Sequence, residues 1–183
     1  LIRVPAAALE PELDDMRQSM AALPAVRLHP DHFLHISLQE LGFVSDRPQQ
    51  ADEISPAELE EFVSLAAAPI GERPPFTVTL GGANSFHDAP FLEVHDEEHS
   101  SWIHQRLLEI AAGRRSTRYP YLPHVTVGHY TAATPAAPVI EALASWRAAQ
   151  FGRFDVTEIE IATIATDEPY PELQPYALFP LAG

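Results

Sequence analysis

Two tetrapeptides of this chain, His35-Ile36-Ser37-Leu38 and His124-Val125-Thr126-Val127, repeat one pattern: a histidine, an apolar residue, a hydroxyl residue, an apolar residue. Strict alternation of polar and apolar residues is the period of a half-buried β-strand, so both segments read as strands. On a strand, residues two apart share a face, which puts His35 with Ser37 and His124 with Thr126. If the two strands lie side by side, two imidazoles and two hydroxyls converge on one surface while the apolar residues enter the core. With 9 His and 46% hydrophobic residues, random order would give only roughly 0.2 such matches. A looser third match, His129-Tyr130-Thr131-Ala132, begins five residues after His124. That odd spacing predicts His129 on the opposite face, so two motifs are retained.

The rest of the chain supplies both kinds of element. Apolar positions from Leu9 to Leu23 recur at helical spacing, and Ser55-Pro56-Ala57-Glu58 combines an N-cap hydroxyl, Pro at the first helical position and Glu at the third. That helix is expected to run to about Ala68. Further helices are expected over 97–112 and 138–150. Expected strands are 1–4, 26–28, 33–39, 76–80, 91–94, 124–130, 154–165 and 176–179, with 42–55 a loop. The Gly81-Gly82 pair reads as a strand end. Strands and helices mix without strict β-α alternation, which predicts an α+β fold with mainly antiparallel pairing, in a single domain over residues 1–183.

Composition excludes several functions. A formal charge of −15 argues against gripping an extended nucleic acid through its phosphates, a mode that needs many cations, and leaves a small phosphorylated ligand or a single RNA end. Cys is absent, which removes disulfides, thiolate nucleophiles and Cys-ligated zinc. No segment approaches the roughly 20 apolar residues that span a bilayer. A cytoplasmic, monomeric protein with no membrane contact is expected. All 11 basic residues are Arg. The densest group, Arg114, Arg115 and Arg118, either steers a phosphate toward the second motif or is a solvated helix end, the reading preferred here.

Two histidines and two neutral donors on one surface suit acid/base chemistry on a phosphate ester. Hydrolysis of a ribose 2′,3′-cyclic phosphate needs a base for the attacking water and an acid for the departing ribose oxygen, and histidine serves either role near neutral pH. Ser37 and Thr126 are placed to donate to the non-bridging oxygens. No metal or cofactor is required. Imidazoles roughly 5–8 Å apart would leave room for the phosphate between them.

The two motifs resemble those of the 2H (two-histidine) phosphoesterase superfamily, which includes RNA 2′,3′-cyclic phosphodiesterases and the 2′-5′ RNA ligase-like proteins. The resemblance implies a bilobal α+β fold, two mainly antiparallel sheets around a central cleft with helices outside. It also implies catalysis by His35 and His124 with phosphate held by Ser37 and Thr126, on an RNA end or small nucleotide carrying a 2′,3′-cyclic phosphate or a 2′-5′ linkage. By the same analogy His124 is the base and His35 the acid. Phe43, Phe86, Tyr121 and Tyr130 are candidates for stacking a base, and Phe43 and Tyr130 are taken as substrate-binding. The ligase-like branch commonly carries Arg where this chain has His129, which loosens that finer label.

Two alternatives stand beside the enzyme. One is a nucleotide or RNA-end binding module that keeps the cleft without turnover. The other is a zinc hydrolase, because His95-Asp96-Glu97-Glu98-His99 fits the H-x-x-E-H pattern of two ligands one helical turn apart. His95 is expected to end a strand, which splits that helical geometry.

Overall fold

The computed structural model describes residues 1–23, 25–111, 120–133 and 135–182. Gly113 and the Arg114, Arg115 and Arg118 cluster lie outside the described residues. Twelve strands are described: β1 (Ile2–Arg3), β2 (Val26–Leu28), β3 (His35–Ile36), β4 (Phe43–Val44), β5 (Glu53–Ile54), β6 (Phe76–Ser85), β7 (Pro90–His95), β8 (His124–Thr126), β9 (Gly128–Tyr130), β10 (Gln150–Val156), β11 (Glu158–Thr163) and β12 (Gln174–Pro180). The α-helices are α1 (Glu12–Ala21), α2 (Pro56–Gly71), α3 (His99–Ile110) and α4 (Ala136–Ala144). This is the expected mixture of helices and curled antiparallel sheets.

Six strands form one sheet in the order β1-β3-β8-β7-β6-β10, every neighbouring pair antiparallel. Both motifs therefore lie on adjacent strands of a single sheet, with Ile36 paired to Val125. Ile36, Val125 and Leu92 are completely buried and join one hydrophobic cluster with Leu13 and Met16 of α1, Phe62 and Ala66 of α2, and Ile103 of α3. Burial of one such aliphatic side chain contributes about 1.5–3 kcal/mol, and a one-residue slip of β3 would exchange Ile36 for His35 in the core. The core thus fixes the register that leaves the histidines on the open face.

Helix α2 starts with the expected reciprocal cap: Glu58 N–H donates to Ser55 Oγ (3.2 Å), and Ser55 N–H donates to the Glu58 carboxylate (2.8 Å). It runs past the expected end at Ala68 and accommodates Pro69 in its last turn. Strand β6 likewise continues through Gly81-Gly82, because Gly82 adopts φ +44° and forms a bulge instead of a stop. A Cβ there would lie 2.9 Å from both the Arg147 carbonyl oxygen and Glu93 Oε2.

The expected strand over 124–130 is two strands in different sheets. Val127 N–H still donates to the Pro90 carbonyl on β7, whereas its own carbonyl accepts from His29 N–H, and the chain then pairs with β2. Gly128 permits the crossing, since a Cβ would sit 2.7 Å from the Arg27 carbonyl oxygen. The expected strand over 154–165 is also divided, at Thr157, into β10 and β11. Segment 42–55, expected as loop, contains the short parallel pair β4 and β5. Among the described residues, no helix is long and apolar enough to cross a membrane.

Candidate active site

The pairing of Ile36 with Val125, extended by one residue each way, sets His35 opposite Thr126 and Ser37 opposite His124. Neighbouring strands extend both rows. Arg3 flanks His35 on β1, while Phe91 follows Thr126 and Glu93 follows His124 on β7. One row across the open face reads Arg3, His35, Thr126, Phe91, and the next reads Ser37, His124, Glu93. The two imidazoles are diagonal neighbours, a relation that separates backbone positions by about 7–8 Å. This register puts His35, His124 and Thr126 on one face, with Ser37 one position past the end of β3.

The histidines are held in matching ways. His35 Nδ1 lies 2.8 Å from the Phe33 carbonyl, and His124 Nδ1 lies 2.7 Å from the Leu122 carbonyl, in each case two residues upstream. A carbonyl only accepts, so each Nδ1 carries the hydrogen and each Nε2 is left to exchange a proton with a ligand. Rings fix the imidazole planes as well. Phe33 stands edge-on to His35 at 5.6 Å, and Phe86 and Phe91, themselves stacked at 4.2 Å, stand edge-on to His124 at 4.9 and 5.5 Å.

The two sides differ in electrostatics. Burial holds His35 below the ordinary histidine range, and the charges of His124 and Arg3 act in the same direction, against the hydrogen bond to Phe33. Arg3 is tied down, with Nε and Nη2 each donating to Glu160 at 2.6 Å and Nη2 also to the Leu173 carbonyl. Behind Phe33 lies a buried imidazole, His29, whose Nε2 is 3.0 Å from His129 Nδ1. Burial, followed by the charges of His129 and His35, lowers His29 to about 4. Tyr170 packs on His29 at 4.7 Å and on Phe33 at 5.5 Å.

Ser37 is exposed beyond the end of β3, and its position is set through its backbone. Tyr121 Oη donates to the Ser37 carbonyl at 2.9 Å, and His104 Nδ1 lies 2.6 Å from the next carbonyl, that of Leu38. The Tyr121 and His104 rings stack at 4.0 Å. Burial pushes the Tyr121 phenol above its ordinary value, so it remains a donor. Tyr121 thus grips the motif backbone and does not present itself as a base platform. Phe86 is the one aromatic candidate with a ring against a motif histidine. Tyr130 hydrogen-bonds Ser85 through its hydroxyl (2.7 Å), next to Phe86. Phe43 is 58% exposed on β4, outside the six-stranded sheet, and no described ring contact connects it to either imidazole.

Sequence reasoning missed Arg3, Phe33, Glu93 and His104. Parity along 91–95 would have placed Glu93 on the face of Phe91, but its pairing with His124 is a matter of register. The H-x-x-E-H segment does not form a ligand pair. His95 ends β7 and is exposed, while His99 begins α3, stacks on Phe76 at 4.4 Å and lies 3.0 Å from Arg73 Nη2 through Nδ1. Among the described residues, no group of three or more His, Asp or Glu side chains could hold a metal ion.

Comparison with known proteins identifies the family and the fold. The family model described as the 2′-5′ RNA ligase superfamily matches residues 5–168. Among solved structures, the Thermus thermophilus protein TT0787 aligns with a TM-score of 0.65 at 18% identity, over 95% of this chain and 94% of that one. A structure titled as a phosphoesterase aligns with a TM-score of 0.63 at 19% identity, over 96% and 95%. E. coli LigT in complex with 3′-AMP gives 0.63 at 18% identity, over 96% of each chain. At these identities the structural likeness shows the fold. No curated protein matches the sequence significantly.

Proposed function

The chain belongs to the 2′-5′ RNA ligase superfamily, and from that premise we propose that it is a phosphodiesterase hydrolysing 2′,3′-cyclic phosphate, or 2′-5′-linked, ends of RNA or nucleotides through His35 and His124. The observation that carries this reading is the matched pair of Nδ1-to-carbonyl hydrogen bonds, which leaves two proton-exchanging Nε2 atoms on one face, diagonally across adjacent strands. Solved complexes of E. coli LigT with 3′-AMP, NADP+ and ATP support a nucleotide ligand for a chain of this fold.

In the proposed reaction a water attacks the phosphorus of the cyclic phosphate. One Nε2 accepts the water proton, and the other, protonated, donates to the ribose oxygen as its bond to phosphorus breaks. Ser37 and Thr126 hydroxyls donate to the non-bridging oxygens, where charge accumulates. Each proton-transfer group typically contributes about 10²–10⁴-fold. A base must begin neutral, and burial favours neutral His35. The direction of that shift supports His35 as the base, the role that the family analogy gives to His124.

The test is turnover of nucleoside 2′,3′-cyclic phosphates by the wild type and by His35→Ala and His124→Ala, with and without EDTA. Each substitution is expected to abolish hydrolysis and EDTA to leave it unchanged. Full activity in either variant overturns the proposal. Tight nucleotide binding with no product after long incubation assigns a binding role instead.

A further inference from the structure

Glu93 occupies an unexpected place for an acidic residue. It lies on the open face directly across from His124, where a phosphate ligand is proposed. Its side chain is 39% exposed and is oriented by two neighbours over the Gly81-Gly82 bulge: Asn84 Nδ2 donates to Oε1 at 3.1 Å, and His95 Nε2 stands 3.9 Å from Oε2. Oε2 therefore has no hydrogen-bond partner among the described residues. At the other end of the face Arg3 is committed to Glu160 and the Leu173 carbonyl. The half-buried Phe86, just past the end of β6, stands edge-on to His124, so the carboxylate and this ring flank the same imidazole.

An aromatic ring and an acceptor-only carboxylate flanking one imidazole suit a nucleobase that stacks on one and donates to the other. The bases differ sharply in what they offer such a group. Guanine presents two adjacent donors, N1–H and the exocyclic amine. Adenine and cytosine place a ring acceptor beside their amine, and uracil flanks its single N–H with two carbonyls, so each sets a lone pair against the carboxylate.

We infer that Glu93, held by Asn84 beside Phe86, reads the base of the substrate and selects guanosine at the cyclic phosphate end. The inference rests on the proposed phosphodiesterase reading and adds a substrate class to it. Asn84 is a positioning residue in this arrangement: it donates to one lone pair of Oε1, and the carboxylate keeps Oε2 and the second lone pair of Oε1 for the two guanine donors.

The experiment compares kcat/KM for the four natural nucleoside 2′,3′-cyclic phosphates and the inosine analogue, with wild type and Glu93→Gln. Guanosine is expected to exceed adenosine by about tenfold, the discrimination of one good paired contact, with inosine between them because it keeps N1–H and loses the amine. Glu93→Gln is expected to bring the guanosine-to-adenosine ratio to within about twofold. Equal values for the four natural bases in the wild type overturn the inference and leave the phosphodiesterase intact, as does an inosine value equal to that of guanosine. Absence of all turnover overturns the proposed function instead. Calorimetry with guanosine and adenosine 3′-monophosphates then decides the inference: equal affinities overturn it, and a guanosine preference lost in Glu93→Gln upholds it.

Discussion

Replacing His29 with Phe tests how the buried imidazole behind the His35 arm responds to acid. His29 is lowered from 6.5 to about 4, first by burial and then by the charges of His129 and His35. The unfolded chain takes up this proton near pH 6.5, while the folded chain resists until about pH 4. Stability is therefore complete above the unfolded value and is lost as pH falls through that window. A shift of about 2.5 units corresponds to ~3 kcal/mol, a substantial part of a typical domain's stability. Phenylalanine keeps a ring between Phe33 and Tyr170, which pack on His29 at 5.2 and 4.7 Å, and it cannot titrate. The assay is urea denaturation of both proteins at pH 7, 5.5 and 4, a comparison that cancels the titrations of groups remote from His29. With a urea slope near 2 kcal/mol/M, the wild-type midpoint should fall by about 1.5 M more than that of His29→Phe between pH 7 and 4. Equal losses in the two proteins would refute the reasoning.

Tyr121→Phe removes the donor to the Ser37 carbonyl and keeps the stack on His104. The lost hydrogen bond should cost about 1 kcal/mol, or about 2–4 °C in Tm, while kcat falls about tenfold with KM nearly unchanged because the Ser37 hydroxyl is no longer held on the phosphate. A lower Tm with unchanged kcat would reduce Tyr121 to a packing residue. The pH profile of kcat/KM should lose activity on its acid side below pH 6.5, as His35, held neutral by burial, finally gains its proton. An acid limb at or above 6.5 would remove His35 from the base role.

The features readable in advance were those written into neighbouring residues. Alternation along His35–Leu38 and His124–Val127 is local, so it identified the face shared by the motif side chains, and the Ser55 and Glu58 cap is a signal contained within four residues. Wherever two chemically similar outcomes differ only by a distant partner, local pattern was silent. Gly81-Gly82 marks a strand end or a bulge according to whether β7 pairs on both sides of it, and here it does. Residues 124–130 look like one strand until β2 draws the chain from Gly128 onward into a second sheet. Phe43 and Phe86 are equally aromatic, but only Phe86 is delivered to a motif histidine, by the turn between β6 and β7. The same distinction explains why the site's two halves, alike in sequence, are unlike in structure. Each histidine has an equivalent carbonyl two residues upstream, since that partner comes from its own strand and the adjoining loop. Their flanking charges come from other strands: Arg3, already neutralised by Glu160, beside His35, and Glu93, with an oxygen to spare, beside His124. The local repeat supplies the chemistry common to both motifs, and the register supplies the asymmetry on which any difference of role between the two histidines must rest.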